Sequence, residues 1–176
     1  MNSYMTSDNE KSIRTKGEMG IRFKAHILTE SKNEETDFVI DEYGFIVASE
    51  ETLGDEELTL NFGKIATGVA YNREEGINIV YDSSSDEQVV FAGVVKNIPV
   101  EKYKTNLVCK TYTKITVNCE QFILYGEAVK GNIYDTAKKL VKDETLDSAS
   151  QNALYEIILA YEKSASLPGD ELFPEE

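Results

Sequence analysis

The side chains most capable of chemistry in this chain are few and scattered: one histidine, His26, two cysteines, Cys109 and Cys119, and an Asp82-x-Ser84-x-Asp86 triplet. A histidine works as a general base when a nucleophile lies within hydrogen-bond reach and a third group orients the ring. His26 instead alternates with Arg22 and Lys24, opposite Ile21, Phe23, Ala25 and Ile27. That period of two places it on the polar face of a strand, as a surface residue. Cys109 falls on the apolar side of its own segment with Leu107, Ile115 and Val117, and reads as a buried thiol without a base partner. An extended chain from Cys109 to Cys119 spans about 33 Å, beyond disulfide reach, so both thiols are expected to be free. Free thiols suit an intracellular assembly better than a disulfide-stapled secreted domain.

The triplet Asp82, Ser84, Asp86 has the first ligand spacings of a calcium loop. However, its sixth position is Glu87 where the sharp turn needs glycine, and its twelfth is Gly93 where a bidentate glutamate should stand. The reading is a solvated loop, with no metal and no cofactor assigned. Glycan recognition would need exposed aromatic rings. Tryptophan is absent, yet Tyr103, Tyr112 and Tyr125 fall in or near a lysine-rich stretch, and Tyr112 is expected to face outward. A carbohydrate-binding module is therefore the alternative reading. The expectation is that the chain is not an enzyme.

Charge narrows the partners. The chain has 176 residues and a formal net charge of −14, a field that opposes nucleic acid and anionic membrane. Residues 29–58 carry eleven acids against Lys32 alone, and residues 143–176 carry nine against Lys163 alone. Between them, residues 96–114 hold five lysines and only Glu101. The lysine face of one copy could thus meet an acidic face of a neighbour, so the partners expected are other protein subunits, copies of this chain included. The first ten residues are polar and hold no apolar stretch of signal-peptide kind. The expectation is synthesis in the cytoplasm, with the protein either staying where it is made, being a piece of a larger secreted one, or leaving by a route without a signal.

These residues must be positioned by strands. Ile21–Ile27 alternates cleanly. In Glu42–Ala48, both the Tyr43, Phe45, Val47 row and the Gly44, Ile46, Ala48 row are apolar, which predicts a central strand. Further short strands are predicted at Ser12–Thr15, Leu58–Leu60, Ile65–Tyr71, Ile77–Tyr81 and Gln88–Lys96. A hairpin of Leu107–Val117 with Gln121–Val129 should turn at Asn118-Cys119, where asparagine tolerates positive φ and cysteine is mildly strained. In its first strand Lys110, Tyr112 and Lys114 point outward as a contact surface, joined by Lys102 and Lys104. After Gly131 the period becomes helical. Asn132 caps a first helix through Ile133, Ala137, Leu140 and Val141, and a second runs over 148–163 from a Ser148–Gln151 capping box. Its stripe of Leu154, Ile157, Ile158 and Tyr161 is the apolar part of the candidate interaction surface.

In order, Ser12–Thr15, Gly20–Ala25 (Gly-Ile-Arg-Phe-Lys-Ala), Glu42–Ala48 (Glu-Tyr-Gly-Phe-Ile-Val-Ala), Gly68–Asn72, Val94–Pro99, Tyr125–Glu127 and Ile133–Ala137 span about residues 12 to 141. With them the chain resembles a β-sandwich module repeated in large surface and secreted proteins of clostridia and related Firmicutes. The resemblance implies a non-catalytic module that accompanies adhesive, anchoring or carbohydrate-active domains, and no catalytic residues. The chain departs from that pattern in starting at its own methionine, in lacking a tandem copy, in its second helix with an acidic tail, and in carrying Cys119 where glycine is expected. These departures point to a version carried on a phage virion.

The resulting expectation is a mainly β fold, an antiparallel two-layer β-sandwich (immunoglobulin-like in general architecture) followed by two C-terminal helices. Residues 1–11 form a disordered segment, 12–145 the sandwich with the first helix, 146–165 the second helix, and 166–176 an acidic tail. Functionally, the expectation is a structural or interaction module on a virion or bacterial cell surface.

Overall fold

The structure, a computed structural model, describes residues 5–28, 38–85 and 88–166. Residues 1–4 of the expected disordered segment and residues 167–176 of the expected acidic tail lie outside those residues. The chain begins with β1 (Met5–Arg14), β2 (Gly20–Leu28) and β3 (Phe38–Ser49), then a one-turn helix α1 (Glu50–Leu53). β4 (Ala66–Asn72), β5 (Ile77–Asn78), β6 (Asp82–Ser85) and β7 (Gln88–Lys96) follow. After a 3₁₀ turn at Val100–Lys102 come β8 (Leu107–Val117), β9 (Glu120–Tyr125), β10 (Val129–Gly131), α2 (Ile133–Leu140) and α3 (Ser148–Ser166).

Two antiparallel sheets form, one ordered β1-β2-β7-β6 and the other β10-β8-β3-β4-β5, with β9 also paired to β8. β3 pairs with β8 from Ser49↔Leu107 to Phe38↔Val117, so it takes one whole edge of β8. On the other edge β9 takes Tyr112–Val117 and β10 takes Leu107–Cys109. The mainly β, two-layer reading is what the structure shows, with two of its three helices at the C-terminal end.

The patterns seen in the sequence dictate the core. Ile21, Phe23, Ala25 and Ile27 are all buried, with Ile13 and Phe91 beside them, and face Tyr43, Phe45, Val47, Ala70, Cys109 and Val129 of the other sheet. Phe91 sits at 5.0 Å from the Tyr43 ring and 4.9 Å from Phe45, and Tyr43 stacks on Tyr71 at 5.1 Å. Such offset and tilted aromatic pairs add to the burial of the rings themselves. The second apolar row of β3, Ile46 and Ala48, is also buried, but on the outer side of its sheet, against Leu53, Leu58, Val108 and Tyr112. β3 is central in both senses: flanked by strands in its sheet and covered on both faces.

Several local expectations are corrected. The first strand runs from Met5, so the backbone of residues 5–11 is strand rather than disordered. Leu58–Leu60 forms no strand, and only Ile77–Asn78 of the Ile77–Tyr81 segment does. Residues 82–85, read as loop from their polar composition, add to the edge of β7, because an available edge outweighs weak intrinsic strand preference. α2 is capped by Asn132 as expected, with Asn132 Oδ1 accepting from the Asp135 N–H at 2.8 Å. α3 is capped by Asp147 rather than by a Ser148–Gln151 box: Asp147 Oδ1 accepts from the Ser150 N–H at 2.8 Å, while the Gln151 side chain donates to the Asp143 carbonyl.

Candidate interaction surfaces

Lys110, Tyr112 and Lys114 do point away from the inter-sheet core, as their spacing requires, but that face is not open. Leu53, Leu58, Leu60, Phe62 and Ile65 fold the segment after β3 back over the outer side of β3 and β8. Ser49 starts α1 by accepting from the Thr52 N–H, and the Glu50 N–H ties the segment to the Asn106 carbonyl at 2.8 Å. Beneath it Tyr112 is 0% exposed. Its hydroxyl donates to Glu42 Oε1 at 2.8 Å. Burial, then the hydrogen bond to the Glu42 carboxylate and its charge, push the phenol well above the usual tyrosine range. The expectation that Tyr112 faces solvent is therefore overturned, since strand parity assigns a face but not what covers it.

The lysines around it have partners within the same chain. Lys114 pairs with Glu42 at 3.1 Å, Lys110 with Glu57 at 2.9 Å and Lys102 with Glu51 at 3.7 Å. Lys110 also lies 5.7 Å from the Tyr125 ring, whose hydroxyl accepts from the Leu60 N–H at 3.1 Å. Lys104 remains exposed, 5.7 Å from the Tyr134 ring. The acidic complement expected from a neighbour is supplied by the chain's own residues 42–57.

The helical stripe is likewise consumed. Leu154, Ile157 and Ile158 are buried in the main core, and Tyr161 packs on Tyr134 with ring centres 4.7 Å apart. Tyr134 donates its hydroxyl to Glu162 at 2.8 Å, closing α2 onto α3. The side of α3 left outward carries Tyr155 and Leu159, four residues apart and 53% and 61% exposed.

The remaining chemical candidates do not converge. His26 is half-buried on the outer face of β2, opposite Val90 of β7, and makes contacts within the fold. Cys109 is buried and free, its thiol held well above the usual range by desolvation, while Cys119 is exposed and free. Asp82 and Ser84 lie on the backbone of β6, and Asp86 lies outside the described residues. Among the described residues, no three His, Cys, Asp or Glu side chains gather as a metal site, and no helix is long and apolar enough to cross a membrane. Tyr103 is buried and Tyr125 half-buried, so the three tyrosines form no exposed platform.

Exposed apolar surface lies elsewhere. On β9, which pairs only with β8 among the described residues, Phe122 and Ile123 are 45% and 42% exposed. Consecutive strand residues point to opposite faces, so this edge is apolar and open on both sides. Its signal in the sequence is the uninterrupted Phe122–Tyr125 run, which alternation alone does not explain. The chain matches no protein-family model, and no curated protein or solved structure matches it.

Proposed function

We propose that the chain is a non-catalytic structural module that joins other protein subunits through the edge of β9, displayed on a virion or a bacterial cell surface. The observation that carries this reading is Phe122 and Ile123, both exposed on a strand with one unpaired edge among the described residues. An edge of this kind offers a row of backbone donors and acceptors together with apolar side chains, a template for an added strand. The surface setting rests on the likeness of Gly20–Ala25 and Glu42–Ala48 to modules of bacterial surface proteins. Antibody labelling of intact particles and cells of the source tests that setting: signal on either without lysis is the expected result. Labelling that appears only after lysis would remove the surface from the reading, and glycan-array binding would restore the carbohydrate-binding alternative, though not through Tyr112.

A further inference from the structure

We infer that the groove between β1, β2, β10 and α2 is a binding site for a carboxylate-rich segment of a partner protein. The groove is open, about 880 Å³ in volume, and brings together Lys11, Arg22, Lys24, Lys130 and Lys139 with Asp135 as its single lining acid. That is an unusual concentration of cations on a chain of net charge −14, and they come from four separate elements. Lys130 is already paired with Glu50, and Lys24 makes other contacts within the fold. Lys11, Arg22 and Lys139 have no carboxylate partner among the described residues. Unlike Lys102, Lys110 and Lys114, these three meet no carboxylate of the described residues.

The positions of these cations are set by the fold. The stem of Lys11 lies across Gly131, where a Cβ would collide with it, and its ammonium donates to the Lys130 carbonyl at 2.6 Å. Arg22 donates to the Tyr81 hydroxyl at 3.3 Å, and its guanidinium lies 5.2 Å from that ring, with Lys24 at 5.8 Å. The exposed aromatic on the rim is thus occupied by cations, which removes it as a stacking platform for a sugar and leaves charge as what the groove offers. At the helix start Asn132 accepts from the Asp135 N–H and donates to Asn106 and Asp135, and the Tyr134 N–H goes to the Tyr103 carbonyl.

The chemistry of the occupant follows. Four of the five cations are lysines, point charges without the bidentate fork that favours phosphate. They spread along a groove far larger than one anion. A long polyanion such as a nucleic acid or a sulfated polysaccharide would reach beyond the groove into the opposing field of the whole chain, whereas a short carboxylate-rich peptide segment matches the local surplus. The inference does not depend on the β9 edge, and a Phe122→Lys variant should bind in the groove as the unaltered chain does.

Fluorescence anisotropy with a labelled oligoglutamate peptide tests it. Binding is expected at low salt and should be lost where the Debye length falls to about 3 Å. Lys139→Glu, at an exposed position with no carboxylate partner among the described residues, should weaken binding by several-fold to about tenfold. Gly131→Ala should weaken it by displacing Lys11, with the fold checked by an unchanged circular dichroism spectrum. Lys64→Glu, the same charge change outside the groove, should have little effect. Equal weakening by Lys64→Glu, no effect of Lys139→Glu, or binding of a sulfated polysaccharide that oligoglutamate neither matches nor displaces would overturn the proposal.

Discussion

Replacing Tyr112 separates a core residue from a contact residue. Its side chain is 0% exposed beneath the 50–65 segment, among Ile46, Ala48, Leu53, Leu58 and Val108. An aromatic side chain of this kind buries on the order of 150 Å² of ring surface, which at about 25 cal/mol per Å² amounts to roughly 4 kcal/mol. Measured aromatic-to-alanine losses in cores fall at about 3–5 kcal/mol. Tyr112→Ala should therefore cost about 3–5 kcal/mol in urea denaturation. Tyr112→Phe keeps the ring and removes only the hydrogen bond to Glu42, which retains Lys114 and Asn72 as partners, so about 1–2 kcal/mol is expected. The phenol's raised pKa gives an independent readout. The folded state holds this proton more tightly than the unfolded state, so its contribution is fully present below pH 10.0, the ordinary tyrosine value, and falls as the pH rises above it. Stability should drop on the alkaline side in the parent chain and less steeply in Tyr112→Phe. Tyr112→Ala within about 0.5 kcal/mol of the parent, the size of an ordinary surface change, would refute the burial on which this reasoning stands.

Two further perturbations probe register and turn geometry. Ile158→Asp places a carboxylate in the main core and should cost roughly 3–5 kcal/mol or prevent folding, whereas Leu159→Asp, one residue on and 61% exposed, should be close to neutral; thermal melts of both check the face of α3. Cys119 sits at φ 68 and Asn118 at φ 49, the two left-handed positions of a tight hairpin turn. Cys119→Gly should stabilise by about 0.5–1 kcal/mol, and a loss in denaturation midpoint would contradict that turn.

What the sequence made legible was parity. Ile21 to Ile27 alternate against polar neighbours, so one face is assigned without knowing the fold, and the two apolar rows of Glu42–Ala48 required cover on both sides. The Asn118-Cys119 turn and the Asn132 cap were readable for the same local reason. Cover was not readable. Leu58, Leu60 and Phe62 alternate as a strand would, yet with Leu53 and Ile65 they bury Tyr112 as irregular chain and bring Glu57 to Lys110, while Glu42 meets Lys114 across the β3–β8 pairing. Those five residues turned an expected contact face into a second core. Asp147 and Ser148 are both competent caps, and only the hydrogen bond to Ser150 distinguishes them. The groove draws on Lys11, Arg22, Lys130 and Lys139, residues up to 128 positions apart in sequence that the packing of the two sheets and of α2 against β1 brings together.

The central claim is that the β9 edge meets another protein. A photo-crosslinking amino acid placed at Ile123 in the full chain, expressed in its source, tests it most directly, with Tyr155 on the outer side of α3 as the comparison position. A discrete protein adduct from Ile123, reduced by Phe122→Lys, is the predicted result. No adduct from Ile123, or one equally strong from Tyr155 and indifferent to Phe122→Lys, would contradict the account.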